Sequence, residues 1–123
     1  MEIMIKLAWG LLAALHFAPA LPIVNPRLVE RLYGAPSTGE VGLLLVHRGA
    51  LFAALFAAAC FALVHTDSRR LVSVLMAVSM ISFLFLYARA GAPAGPLRSI
   101  AMADAIGLIP LAVALWSAWG RIS

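Results

Sequence analysis

The chain contains few charged residues and a single cysteine, and each scarcity excludes a class of protein. Of its 123 residues, 11% are charged, whereas about a quarter are charged in soluble domains. With 64% hydrophobic residues and a mean hydropathy of +1.03, the chain has too few polar side chains for a soluble surface. The one cysteine, Cys60, excludes an intrachain disulfide, and we expect it to be a core thiol in mid-helix. The composition therefore indicates an integral membrane protein.

The motifs of soluble enzymes are also absent. The sequence has no glycine-rich phosphate loop, no paired cysteines and no His-Glu-x-x-His stretch, so it predicts neither a nucleotide site nor a zinc site. The formal net charge of +4 is spread over loops and ends, which is typical of membrane topology and headgroup contact rather than nucleic-acid binding. We expect no metal, no cofactor and no nucleic-acid partner.

Long apolar runs, by contrast, account for most of the chain. Four of them have about 19 to 24 residues, enough to cross a bilayer core of about 30 Å at 1.5 Å per residue. The predicted spans are residues 3–21, 41–64, 71–90 and 97–119. The sequence thus predicts an all-α fold, in which residues 1–123 form a single polytopic domain built as a four-transmembrane-helix bundle.

The longest connection joins the first two spans. Asn25 followed by Pro26 is typical of a helix start, and residues 27–33 then mix charged and apolar side chains before Gly34. We therefore expect a short amphipathic helix that lies in the membrane interface. Both a lid over the bundle and an inert surface helix fit this pattern.

An even number of spans places both termini on one side of the membrane. The positive charges divide evenly between the two sides: Lys6, Arg69, Arg70 and Arg121 on the terminal side, and Arg27, Arg31, Arg89 and Arg98 on the other. Arg69 and Arg70 occupy the shortest loop, so the positive-inside rule favours cytoplasmic termini. We expect a multi-pass protein of the bacterial inner (cell) membrane.

Ionisable residues inside the spans carry the functional prediction. Arg48 lies inside the second span, where a charge facing hydrocarbon costs a few kcal/mol. The only acidic residue elsewhere in an apolar run is Asp104, in the fourth span. We therefore expect a buried ion pair between Arg48 and Asp104, with His47 beside it.

Every span carries a polar residue at a similar depth. At 1.5 Å per residue, His16, Arg48, Ser82 and Asp104 all lie about 9 to 11 Å below the helix ends on the long-loop side. We predict one polar layer near one membrane face. Its catalytic candidates are Asp104, His47 and Arg48, and its ligand-binding candidates are His16, Ser82, Ser79 and Tyr33.

Several functions are compatible with this layer. Asp104 or His47 would move a proton while Arg48 holds an anionic oxygen, as isomerisation or cyclisation of a terpenoid-like compound requires. The same groups would equally bind a headgroup or quinone, with its tail in the apolar half of the bundle. A bis-histidine haem on His16 and His47 is a minor alternative.

Non-catalytic roles stay open as well. The ion pair would be purely structural if it only set the helix register, and the chain would then be an accessory subunit of a larger membrane complex. Because so small a bundle leaves alanine and serine faces unpaired, we expect a homo-oligomer or a larger assembly. The remaining expected partners are the lipid bilayer and a lipophilic small molecule.

The quoted residues also resemble a known family. The resemblance rests on His16 with Pro19, Leu32-Tyr33-Gly34, His47-Arg48, Ser79 with Phe83, and Asp104. The chain is similar in these positions to small bacterial four-helix membrane proteins, many of which carry the name phosphopantetheine adenylyltransferase. The resemblance implies a helical membrane fold and a recurring His, Arg and Asp set without an assigned function. The name does not suit this chain, because that transferase is a soluble α/β protein whose His-x-Gly-His phosphate site is absent here.

Overall fold

Helices make up nearly all of the part of the protein that the computed structural model describes, residues 1–120. In chain order these are α1 (Glu2–Phe17), a 3₁₀ helix (Ala18–Ile23), α2 (Leu28–Tyr33), α3 (Gly39–Val64), a 3₁₀ turn (Thr66–Ser68), α4 (Arg69–Arg89) and α5 (Leu97–Trp119). Arg121, counted above among the charges on the terminal side, lies outside the described residues.

Within residues 1–120, four helical segments are long and apolar enough to cross a membrane. They are Glu2–Ile23, Gly39–Val64, Thr66–Arg89 and Leu97–Trp119. The predicted all-α four-helix bundle is therefore confirmed. The first and third segments each join an α-helix to a 3₁₀ helix without a break.

The bundle has three well-packed helix pairs and one loose pair. α1 packs extensively against α3 and α5, and α5 packs against α4, whereas α3 and α4 contact each other much less. The core consists mainly of large side chains from α1 and α4 and small ones from α3 and α5: Ile5, Trp9, Leu12, Met76, Met80, Ala59, Ala62 and Ala114. The helices thus follow the order α3, α1, α5, α4 around the bundle, with an open seam between α3 and α4.

The predicted short helix between the first two spans is α2. It is amphipathic, since Val29 is fully buried while Glu30 and Arg31 are exposed. Gly34 ends it with a φ of +64°, and a Cβ atom there would lie 3.1 Å from Cγ of Pro96. The end of α2 therefore packs against the turn between α4 and α5.

The expected start of this helix at Asn25 is wrong. The N-cap residue of α2 is Arg27, and no side chain caps the helix. The amide of Asn25 donates to the carbonyl of Leu21 at 3.0 Å and its carbonyl accepts from the amide of Leu28 at 3.1 Å, so Asn25 lies in the connection between the 3₁₀ helix and α2. The chain needs one further turn before α2 begins.

Cys60 is exposed on the outer surface of α3 rather than buried in the core. The buried residues next to it are Ala59 and Ala62. Because successive residues in an α-helix are rotated by about 100°, Cys60 lies off the face that these alanines bury. The expectation of a core thiol is therefore wrong.

Arg69 is buried at the terminal end of the bundle and holds three helices together. Its Nε donates to the carbonyl of Ala62 at 2.8 Å and its Nη2 to that of Leu63 at 2.9 Å. Its Nη1 forms an ion pair with Oε1 of Glu2 at 3.3 Å. Arg69 therefore satisfies carbonyl groups at the end of α3 that the helix itself leaves unpaired and ties them to the starts of α1 and α4.

Candidate functional site

A cleft of about 270 Å³ lies between α3 and α4, where these helices pack least. Its lining is apolar apart from one charge, Arg48, and two hydroxyl groups, Ser79 and Ser82. The apolar lining comes from both helices: Leu51, Phe52 and Leu55 on α3, and Phe83 and Leu86 on α4. The cleft therefore brings together three of the residues predicted for the site.

The Arg48 guanidinium is held by a hydrogen bond and by aromatic rings. Its Nε donates to Oη of Tyr33 at 3.3 Å. Its Cζ lies 4.9 Å from the ring centroid of Phe52, 5.5 Å from that of Phe83 and 5.8 Å from that of Tyr33. These distances are within the range of cation–π attraction. Side chains from α2, α3 and α4 thus hold one charge in a defined position.

Tyr33, the last residue of α2, is the residue through which this helix contacts the site. The ring is half-buried and covers the guanidinium on the long-loop side. The structure therefore joins Tyr33, a predicted ligand-binding residue, to the cleft through Arg48. α2 therefore contacts the polar end of the cleft through Tyr33 and Arg48.

The two serines make different contacts. Oγ of Ser82 donates to the carbonyl of Ser79 at 3.3 Å, within the same helix, as serines in apolar helices commonly do. The Ser79 hydroxyl makes no hydrogen bond to any residue in the range 1–120 and is half-buried in the cleft lining. Ser79 is therefore the hydroxyl with free hydrogen-bonding capacity in the cleft.

Asp104 lies on the inner face of α5, which also carries the buried residues Ala101 and Gly107. It does not line the cleft between α3 and α4. The described residues contain one ion pair within 4.0 Å, between Arg69 and Glu2. The expected direct pair of Arg48 and Asp104 is thus not formed. α3 and α5 are diagonal in the bundle, and Arg48 instead donates to Tyr33.

His16 is buried beside the site without lining the cleft. It is 2% exposed, and its Nδ1 donates to the carbonyl of Leu12 at 2.8 Å. Its ring centroid lies 5.7 Å from that of Phe52, whose other neighbour is Arg48. His16 therefore supports the ring that holds the guanidinium.

The structure does not bring His47 to the cleft. His47 is exposed on the outer surface of α3, because the rotation of about 100° per residue turns it outward when Arg48 faces the cleft. His16 of α1 packs against Phe52 on the inner side of α3, whereas His47 lies on the outer side of α3. The two histidines are therefore not placed to be the axial ligands of one haem. Within residues 1–120, no group of three or more His, Cys, Asp or Glu side chains is placed to hold a metal ion.

Sequence reasoning missed the aromatic rings around Arg48. Phe52 follows Arg48 by four positions in the same helix, a spacing that places two side chains on one face, so this contact was open to prediction. Phe83 adjoins Ser82, but its contact with Arg48 depends on how α3 and α4 pack. Only the tertiary structure reveals that contact.

This arrangement suits a molecule with an apolar body and one polar oxygen group. The terminal nitrogens of Arg48 and the hydroxyl of Ser79 are hydrogen-bond donors in the lining of this one cleft, and apart from Ser82 the remaining lining is hydrocarbon. Comparisons with protein-family models, with curated proteins and with solved structures find no match to this chain.

Proposed function

We propose that the protein binds a lipophilic small molecule in the cleft between α3 and α4. The observation that carries this proposal is the position of Arg48, a guanidinium between three aromatic rings at one end of an apolar cleft. An anionic or carbonyl oxygen of the ligand accepts hydrogen bonds from Arg48. Its tail lies against Leu51, Leu55 and Leu86.

The ligand enters sideways from the bilayer. The cleft lies between two membrane-spanning helices, and Leu51 and Leu86 on its margins are 56% and 60% exposed. α2 covers the polar end through Tyr33. A lateral route keeps the apolar tail out of water throughout binding.

An isomerase-like or cyclase-like reaction extends this proposal. Asp104 is then the group that moves a proton, on a part of the ligand that reaches beyond the cleft lining to the inner face of α5. His47, on the outer surface of α3, takes no part. Arg48 stabilises the negative charge that develops on the ligand oxygen.

Ligand binding is tested by native mass spectrometry of the purified protein, with lipid extraction to identify what is bound. Arg48→Gln removes the charge but keeps a polar side chain, and we expect ligand occupancy to fall more than about tenfold, since a buried charged contact is worth 2 kcal/mol or more. Arg89→Gln is the matched control, because Arg89 is an exposed arginine at the end of α4. Equal occupancy in Arg48→Gln and wild type contradicts the proposal.

Asp104→Asn separates binding from catalysis. The change keeps the shape of the side chain and removes its charge, so we expect the ligand to stay bound next to Arg48. If Asp104 moves a proton, the variant holds the unreacted compound, and the extracted ligand differs from that of wild type by NMR. The same compound from both proteins indicates binding without reaction.

A non-catalytic accessory subunit is the second candidate. The observation that favours it is His47, a polar ring exposed on the outer surface of a membrane-spanning helix, where contact with another protein is more favourable than contact with lipid. The neighbour is a second copy of this chain or a larger complex of the bacterial inner membrane, with the termini of this chain in the cytoplasm. A subunit of this kind co-purifies with its partner even when Arg48 is replaced.

A further inference from the structure

A second cavity lies at the opposite end of the bundle from the cleft. Its volume is about 460 Å³, within the range of about 300–1,000 Å³ typical of small-molecule sites. The starts of α1 and α4, the turn before α4 and the end of α5 surround it. Two acidic and two basic side chains line it, namely Glu2, Asp67, Arg69 and Arg70.

One acidic and one basic group in this cavity are already paired. Arg69 is 6% exposed and uses its nitrogens on Glu2, Ala62 and Leu63. Arg69 and Glu2 together therefore add no net charge to the cavity lining. The groups that remain for a ligand are Arg70 and Asp67.

Arg70 is exposed but held in place. Its Nε donates to the carbonyl of Ala118 at 3.1 Å, and its Cζ lies 5.2 Å from the ring centroid of Trp119. The indole Nε1 of Trp119 in turn donates to Oγ of Ser73 at 3.1 Å. Toward residues 1–120 the guanidinium donates only from Nε, which leaves both terminal nitrogens to form the bidentate contact that phosphate groups favour.

Asp67 supplies the opposite charge. It is exposed on the 3₁₀ turn before α4 and makes no hydrogen bond or ion pair with any residue in the range 1–120. The cavity thus presents one free cation and one free anion among its described residues. A purely anionic ligand would meet the Asp67 carboxylate, and a purely cationic one would meet Arg70.

We propose that this cavity binds the zwitterionic headgroup of a phospholipid, with the phosphate on Arg70 and the ammonium group on Asp67. A headgroup with both charges satisfies both side chains at once and keeps the cavity neutral. The cavity also lies at the right depth, because the exposed side chains of Trp116 and Trp119 occupy the same end of α5, and tryptophan concentrates at the level of lipid headgroups.

The test is native mass spectrometry of the full chain in mild detergent with equimolar phosphatidylethanolamine and phosphatidylglycerol. We expect wild type to retain phosphatidylethanolamine in preference. Asp67→Asn should shift the ratio toward phosphatidylglycerol by about fivefold, the upper range for one exposed ion pair. Arg70→Gln should weaken binding of both lipids.

Lys6→Gln is the matched control, because Lys6 is an exposed cation at the same end of the bundle that does not line the cavity. Its lipid ratio should equal that of wild type. If Arg70→Gln does not fold, Asp67→Asn decides alone, since Asp67 makes no contact that stabilises the described fold. Equal retention of the two lipids by wild type overturns the proposal, and so does an unchanged ratio in Asp67→Asn.

A further arm distinguishes a lipid from a soluble anion. Inorganic phosphate is added at millimolar concentration to the protein bound to phosphatidylethanolamine. Retention of the lipid supports the headgroup site. Displacement by phosphate alone shows a general anion site and overturns the assignment to a zwitterion.

Discussion

Arg48 and Arg69 are both arginines inside the bundle, but their side chains contact different groups. Three hydrogen bonds to protein oxygens use most of the donor capacity of Arg69. Arg48 makes one hydrogen bond within the described residues and otherwise contacts aromatic rings. Arg69 therefore stabilises the fold, whereas Arg48 keeps the donors that would bind the ligand in the proposed function.

Replacing Arg69 should destabilise the bundle. Arg69→Gln removes charge-assisted bonds to two carbonyl groups and to Glu2, and we expect a loss of about 2–4 kcal/mol in the free energy of unfolding. The exposed Arg89 should tolerate the same change within about 0.5 kcal/mol. The free energies of unfolding of the two variants and of wild type are measured in mixed detergent micelles and compared. A loss equal to that of Arg89→Gln would show that the Arg69 contacts contribute nothing.

At the scale of the element, the position of the segment between α1 and α3 depends on a close contact between its 3₁₀ helix and Gly49 of α3. The 3₁₀ helix packs on α3 at Gly49, where a Cβ atom would lie 3.2 Å from the amide nitrogen of Ile23 and 3.3 Å from Cβ of Pro22. These are atoms of a backbone and a rigid ring, so they cannot move aside independently. The position of α2, and with it of Tyr33, follows from this contact.

A larger residue at Gly49 should therefore displace the segment. Gly49→Val is expected to lower the free energy of unfolding by about 1–3 kcal/mol, the usual cost of overpacking. It should also reduce ligand occupancy at Arg48, because Tyr33 moves with the segment. Gly10→Val is the control, since no atom lies within 4 Å of its added Cβ. Thermal melting and native mass spectrometry measure the two effects, and equal results for both variants would contradict this account.

At the scale of the whole molecule, the open seam between α3 and α4 follows from the order of the helices. α1 packs between α3 and α5, and α5 packs between α1 and α4. α3 and α4 are therefore at the two ends of this series and contact each other only loosely. The cleft lies along this side. The end of α2 also contacts the turn between α4 and α5, so these loops share one membrane face.

Cysteine labelling tests this arrangement. In a Cys60→Ala background, Ser37→Cys and Ala94→Cys should react with an impermeant maleimide from the same side of the membrane. Thr66→Cys should react only from the other side, because α3 and α4 each cross once. With cytoplasmic termini, as proposed, Thr66→Cys is the cytoplasmic site. Labelling of Ser37→Cys and Ala94→Cys from opposite sides would contradict a four-span topology.

Part of the candidate site was predictable from the sequence. Depth along a helix depends on the rise per residue, which is nearly constant, so Arg48, Ser82 and Asp104 were assigned to one layer by counting. The direction in which each side chain points depends on how the whole helix is rotated in the bundle. His47 shows that depth alone does not identify a site residue, because it lies at the same depth as Arg48 but is exposed on the outer surface of α3.

The all-α class, the four spans and the short helix between the first two follow from the sequence alone, because long apolar runs and helix geometry are local properties. Which helices pack together, which residues line the cleft and which oxygens Arg69 binds became known from the three-dimensional structure. These depend on contacts between residues far apart in the chain, such as Arg69 with Glu2, and in an apolar bundle nearly every face of a helix is hydrophobic enough to be buried. Periodicity therefore cannot select the inner face, and packing against the neighbouring helices does.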